Sequence, residues 1–149
     1  MSTPGESTGR IVVGIDGSAS SMAALGWAVG QAELTGAAIE AVTTWEWPST
    51  YGAALVVPTD YDPAADAGAV LEDALAPIRA VHPAVEMRTV VVEGHPAPAL
   101  VTASRGADLL VVGSRGHGEF AGMLLGSVSE HCVTNAHCPV LVFREGPAS

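Results

Sequence analysis

Five short apolar runs, each separated from the next by a stretch long enough to hold a helix, constrain this chain more than any other feature. Arg10–Ile15, Ala38–Thr44, Glu86–Val92, Leu109–Gly113 and Val140–Phe143 are compact and rich in β-branched residues. They show little polar alternation, which suggests strands buried on both faces, as in a parallel sheet. Between the first two, Met22, Leu25, Val29 and Ala32 recur at spacings of three and four, so Ser20–Thr35 is expected to form an amphipathic helix that stops at Gly36. A second helix is expected over Ala64–Val81, with Leu71, Leu75 and Ile78 as its stripe and Pro77 kinking or breaking it. A third is expected over Ala97–Arg105, with Pro98 in its first turn and Gly106 just beyond its end. The last begins near Ser127 and ends before Cys138-Pro139. Strand, helix, strand repeated in this way requires right-handed parallel crossovers. The expected fold is an α/β, open, doubly wound, Rossmann-like sheet with helices on both faces. Ligands of such sheets sit beyond the carboxyl ends of the strands at the topological switch point, which directs attention to the residues just after strands one and four.

The 149 residues suit one domain, expected over 10–144 with flexible tails at 1–9 and 145–149. The charge balance narrows the function. With 16 acidic and 6 basic residues the formal net charge is −10, which opposes binding to nucleic acid or to an anionic membrane surface. All the basic residues are arginines, and the absence of lysine removes Walker A nucleotide hydrolases, protein kinases and Schiff-base or pyridoxal-phosphate enzymes. Met1–Gly9 lacks the apolar stretch of a signal peptide, and no run approaches the roughly 20 apolar residues that cross a bilayer. A soluble cytoplasmic protein is the expectation. Trp45–Pro63 is the least regular stretch, read either as a lid or partner contact or as a variable connection without a role.

The site signal follows strand four. Glycines at 113, 116, 118 and 122 allow close backbone approach, and successive backbone N–H groups in such a loop form a nest for an anion. Gly126-Ser127 then opens a helix, whose N-terminus carries partial positive charge and unpaired donors, with Ser127 suited to the N-cap position. Phosphate can be held this way without lysine. Glycine clusters alone are weak evidence; the position after the fourth strand strengthens this one.

Gly113, Gly116, Gly126 and Ser127 spell G-x2-G-x9-G-S, which resembles the ATP-binding signature of the universal stress protein family. Three further segments resemble that family in order: Gly14-Ile15-Asp16-Gly17-Ser18 after strand one, Gly94-His95-Pro96-Ala97 before the third helix, and His137-Cys138-Pro139-Val140-Leu141-Val142 at the last strand. The resemblance implies five parallel strands in order 3-2-1-4-5 and a homodimer paired through Val140–Phe143. It also implies membership of the class that binds ATP. Carried over by motif position, Gly14 and Ile15 would flank the adenine, Val42 would contact it, and Asp16 would face the ribose or a bound metal. Gly113, Ser114, Arg115, Gly116, His117 and Gly118 would wrap ribose and phosphates, and Gly126, Ser127, Val128 and Ser129 would hold phosphates at the helix start. Because the protein is itself anionic, long-range attraction cannot draw in ATP. Mg²⁺ or Mn²⁺ bridging the phosphates is therefore expected, with water filling most coordination positions.

Other candidates have weaker support. Asp16 has an alternative reading as a turn or cap residue. His131-Cys132 and His137-Cys138 do not match zinc spacings, and the cysteines read as buried small hydrophobes; a redox role would need an exposed thiolate of low pKa. His95 lies at a strand end near the expected cleft but has no identifiable catalytic partner. No G-x-S-x-G elbow occurs, and the dinucleotide fingerprint is missing after strand one. The expected function is regulatory nucleotide binding without enzymatic turnover, slow ATP hydrolysis at most. A cyclic-nucleotide or other adenine-nucleotide binder, and a nucleotide-free interaction module reading an unknown protein partner, are the alternatives.

Overall fold

The computed structural model describes residues 9–47, 62–114 and 125–144. The elements run β1 (Arg10–Gly14), α1 (Ala19–Thr35), β2 (Ala38–Trp45), α2 (Pro63–Val81), β3 (Met87–Glu93), α3 (Pro96–Ala103), β4 (Leu109–Gly113), α4 (Ser127–Asn135) and β5 (Val140–Phe143). The strands form one parallel sheet in the order β3-β2-β1-β4-β5. Strand boundaries match the sequence reading to within a residue or two. The expected irregular stretch Trp45–Pro63 is trimmed at both ends, because Trp45 closes β2 and Pro63 opens α2; residues 48–61 lie outside the described residues. So do the expected tails, apart from Gly9.

Each helix starts and stops for local reasons. The Ser18 hydroxyl accepts the Ser21 N–H at 3.1 Å and caps α1. Gly36 ends that helix in the left-handed region (φ 79°) while its N–H donates to Ala32 O at 2.8 Å. Asp62 caps α2 by accepting the Ala65 N–H at 3.0 Å, with Pro63 in the first turn. Of the kink or break expected at Pro77, the break does not occur. Pro77 lies inside a 19-residue α-helix on its exposed side, where the Asp73 carbonyl that loses an N–H partner can face water. Helix α3 starts one residue before and ends two residues before the expected Ala97–Arg105. It ends at Ala103 because the Ser104 hydroxyl bonds back to Val101 O at 2.6 Å, and Gly106 (φ 74°) turns the chain toward β4.

Side-chain alternation along the strands divides the core in two. Ile11, Val13, Ile39, Ala41 and Val111 pack with Leu25, Ala28 and Val29 of α1 and Leu71 and Leu75 of α2. Val12, Val42, Leu110 and Val112 pack on the opposite face with Leu100 of α3 and Cys132 of α4. At the amino end of the sheet Arg10 joins strand to helix. Its guanidinium donates to Glu40 Oε1 at 3.0 Å, to Ala103 O at 2.9 Å and to Arg105 O at 2.7 Å. A cation thus meets the carbonyls at the end of α3, where the helix dipole favours positive charge.

Candidate functional site

A cleft of about 180 Å³ opens at the carboxyl ends of β1, β2 and β4, where the doubly wound sheet changes direction. It is lined by Gly14, Ile15, Asp16, Ser21, Val42, Thr43, Thr44, Pro96, Leu100, Val112, Gly113, Gly126, Val128 and Ser129. Eight residues singled out in the sequence therefore meet here: Gly14, Ile15, Asp16, Val42, Gly113, Gly126, Val128 and Ser129. Ser114 is buried next to Gly113, and Ser127 is exposed on the first turn of α4. Arg115, Gly116, His117 and Gly118 lie outside the described residues.

The β1 end is held tightly. The Ile15 N–H donates to Val42 O at 2.8 Å, which ties the ends of β1 and β2 together. Ile15 is itself part of the core beneath α1 and α2. Asp16 Oδ1 accepts the Ser18 N–H at 2.9 Å, and the Asp16 N–H meets Ser21 Oγ at 3.3 Å. Asp16 therefore shapes the turn into α1 and also lines the cleft.

Gly14 and Gly113, which end the two central strands, are glycines for a packing reason. A Cβ on Gly14 would lie 2.8 Å from Leu100 Cδ1 in α3. A Cβ on Gly113 would collide with Ser20 at the start of α1, 2.8 Å from its carbonyl carbon. Neither glycine has a positive φ. At the ends of the two central strands, the missing side chains let a helix from each face close on the sheet.

At the far end of the cleft, Gly126 rather than Ser127 is the N-cap of α4, and Ser127 is the first helical residue. The Gly126 N–H donates to Ser114 O at 2.6 Å, and Gly126 O accepts the first helical bond from Glu130 N–H at 2.9 Å. The amides of Ser127, Val128 and Ser129 belong to the first turn, which has no preceding carbonyls to bond within the helix. The floor of the cleft, made by Val42, Leu100 and Val112, is apolar. The arrangement suits a ligand with a flat apolar body and an anionic end.

Sequence reasoning missed Ser21, Thr43, Thr44, Pro96, Leu100 and Val112. Thr43 and Thr44 were within reach, because they follow Val42 at the end of a central strand. Pro96 belongs to the Gly94–Ala97 turn segment but was not read as a site residue, and Leu100 carries no local signal; α3 brings both in by crossing over Gly14.

The cysteines do not act here. Cys132 is fully buried among Val12, Leu110 and Val112, and burial pushes its thiol up to about 11. The Cys138 thiol is also raised by burial, with Arg10 acting against the shift and Asp108 reinforcing it. Both shifts run against the low-pKa thiolate that redox chemistry needs. His95 stands at the start of α3, its Nδ1 3.3 Å from Glu46 Oε2, and both side chains are largely exposed. Among the described residues no helix is long and apolar enough to cross a membrane.

Fold and cleft together define a parallel α/β domain with its candidate site at the switch point. The chain belongs to the universal stress protein family, whose family model matches residues 8–144. It is 36% identical to universal stress protein Rv2624c of Mycobacterium tuberculosis over 156 aligned positions, covering all of this chain and 54% of that protein. The chain thus spans about half the length of the curated relatives it matches. Among solved structures, universal stress protein UspA from Lactobacillus plantarum superposes with a TM-score of 0.72 at 24% identity, over 91% of this chain and 97% of that one, a likeness of fold. A universal stress protein in complex with cAMP superposes with a TM-score of 0.66 at 32% identity, over 90% of this chain and 94% of that one.

Proposed function

We propose that this protein binds ATP in the switch-point cleft and acts as a regulatory nucleotide binder of the cytoplasm rather than as an enzyme. The observation that carries the reading is the cleft itself. Its apolar floor of Val42, Leu100 and Val112 suits the adenine ring, and it runs to the first turn of α4, which suits phosphate. The glycine signature between Gly113 and Ser127 supports the reading from the sequence side, because such a run can present successive backbone N–H groups to an anion. Asp16 is the one titratable side chain among the described lining residues, which favours binding over turnover.

Mg²⁺ or Mn²⁺ fits this donor set as a phosphate-bound ion. Such an ion keeps several waters and needs few protein ligands, and Asp16 is the carboxylate placed to approach it. Its contribution would be charge neutralisation in a protein of net charge −10. A homodimer through β5 accompanies this reading. The sheet ends on β5, and its residues Val140–Phe143 are half-buried and apolar. Pro139 O and Phe143 O point inward to β4, so alternation turns the amides and carbonyls of Val140 and Val142 outward.

A second reading keeps the site and changes the ligand to a cyclic nucleotide, favoured by the cAMP complex of the 32% identical relative. One titration series separates the readings. Protein stripped of small molecules is titrated with Mg-ATP, with ATP plus chelator, and with cAMP, beside a Gly116→Val, Ser127→Ala variant. Tight Mg-ATP binding that weakens with chelator and disappears in the variant is expected. Binding of cAMP in preference to ATP selects the second reading. Refusal of every adenine nucleotide by the wild type rejects both, and turnover of 1–10³ s⁻¹ with Mg-ATP, typical of enzymes, rejects the non-enzymatic assignment.

A further inference from the structure

The two ends of the glycine signature are tied by one carbonyl. Ser114 O, at the end of β4, accepts the Gly126 N–H at 2.6 Å and lies 3.1 Å from Ser129 Oγ. Ser129 Oγ also lies 3.0 Å from Gly126 O. Ser114 is 7% exposed and Ser129 2%, so water cannot readily replace these partners. A serine hydroxyl has one proton to donate. Both neighbouring oxygens are carbonyls, which accept only, so that proton is committed to one or the other. A phosphate oxygen is likewise an acceptor and would compete for the same proton. Each carbonyl already receives one backbone N–H, Gly126 O from Glu130 at 2.9 Å and Ser114 O from Gly126; only a bond to Ser114 O ties α4 to β4, because Gly126 is the cap of α4 itself.

We propose that Ser129 is a positioning residue: its hydroxyl fastens the first turn of α4 to the end of β4 and sets the separation of the signature's two ends, while any contact of Ser129 with a ligand is made by its backbone amide. Ser114 is anchored from the other side as well, because its N–H donates to Phe143 O at 2.9 Å. The serine thus connects α4 through β4 to the edge strand. Residues Gly113 and Gly126 line the cleft at either side of this tie, so loosening it widens the anion end of the site. The effect on nucleotide rests on the reading proposed above; the tie itself does not.

The test uses Ser129→Ala, which removes the hydroxyl without adding bulk, and Ser129→Thr, which keeps it. Amide hydrogen exchange of Gly126 is measured by NMR in nucleotide-free protein, with Leu110 and Val111 as core references. Mg-ATP affinity and thermal midpoint are measured on the same samples. Ser129→Ala is expected to speed Gly126 exchange about tenfold, as loss of one buried hydrogen bond should, and to weaken Mg-ATP by a similar factor. Leu110 and Val111 should exchange as before, and Ser129→Thr should restore both properties. Unchanged Gly126 exchange overturns the proposal; if affinity nevertheless falls, the hydroxyl is a ligand contact. Faster exchange in a protein whose wild type binds no nucleotide upholds the tie and rejects the nucleotide reading alone.

Discussion

Gly113→Ala should destabilise this protein far more than the same change at Gly14, although both glycines end central strands and line the same cleft. Neither position has a positive φ, so the difference is steric alone. At Gly14 the new methyl would sit 2.8 Å from Leu100 Cδ1, with the other leucine methyl at 3.3 Å. That is the end of a flexible side chain, which can rotate aside for about 1 kcal/mol. At Gly113 the methyl would meet Ser20 at three atoms, one of them a backbone carbonyl carbon at 2.8 Å. The first turn of α1 is capped by Ser18 and cannot yield locally. The helix start must move, and a cost of about 2–3 kcal/mol is expected. For a domain of this size each kcal/mol lowers the melting temperature by roughly 2–4 °C, so Gly113→Ala should melt about 4–12 °C below wild type. Urea unfolding of both variants, read by tryptophan fluorescence and circular dichroism, measures the difference. A Ser20→Gly background should recover only part of the loss, because the backbone atom remains. Gly113→Ala within about 0.5 kcal/mol of wild type, or costlier at Gly14 than at Gly113, would refute the steric argument.

Other consequences can be measured on the same apparatus. Cys132 has a thiol raised from 9.0 to about 11, so the folded state holds its proton more tightly than the unfolded chain. This stabilisation is complete below pH 9 and fades as pH climbs toward 11; wild type should lose about 1 kcal/mol by pH 10 that Cys132→Ala does not. Arg10→Met removes donors to Ala103 O and Arg105 O and leaves Glu40 without its cation, for an expected loss of about 2–3 kcal/mol in urea unfolding. Glu40→Gln keeps an acceptor and should cost less than half as much. Val142→Pro deletes an outward N–H without touching the β4 ladder; under the proposed β5 homodimer, light scattering should give a dimer mass for wild type and a monomer mass for the variant, and equal masses would reject pairing through β5.

The strands were legible because residues such as Val12, Val13, Leu110 and Val111 are buried on both faces of the sheet, and such runs stand out without alternation. Helix α1 was legible from its stripe and from Gly36. Pro77 misled because its local penalty is tolerated by a long helix whose apolar stripe, Leu71 and Leu75, is anchored in the core upstream. The cleft was legible at the strand ends, where a glycine or an aspartate sits out of place in an apolar run. It was illegible at Leu100, whose role depends on how α3 lies across Gly14. Ser129 illustrates the same limit. Its place after a glycine-serine pair suggests a phosphate donor, and only the fold brings two backbone carbonyls within reach of its hydroxyl.

The pairing of β1 with β4 also governs when the site can exist. Ile11 lies against Leu109, and the Arg10 amide bonds Asp108 across 98 residues of chain. At typical synthesis rates of about 5–20 residues per second, β1 waits roughly 5–20 s for the neighbour that completes the cleft. β2 and β3 can add to one side of β1 in that interval, while its other edge stays open and apolar until β4 arrives. The cleft therefore cannot form by degrees: one wall of the pocket is the product of early translation, the other of late, and the site exists only when the two meet.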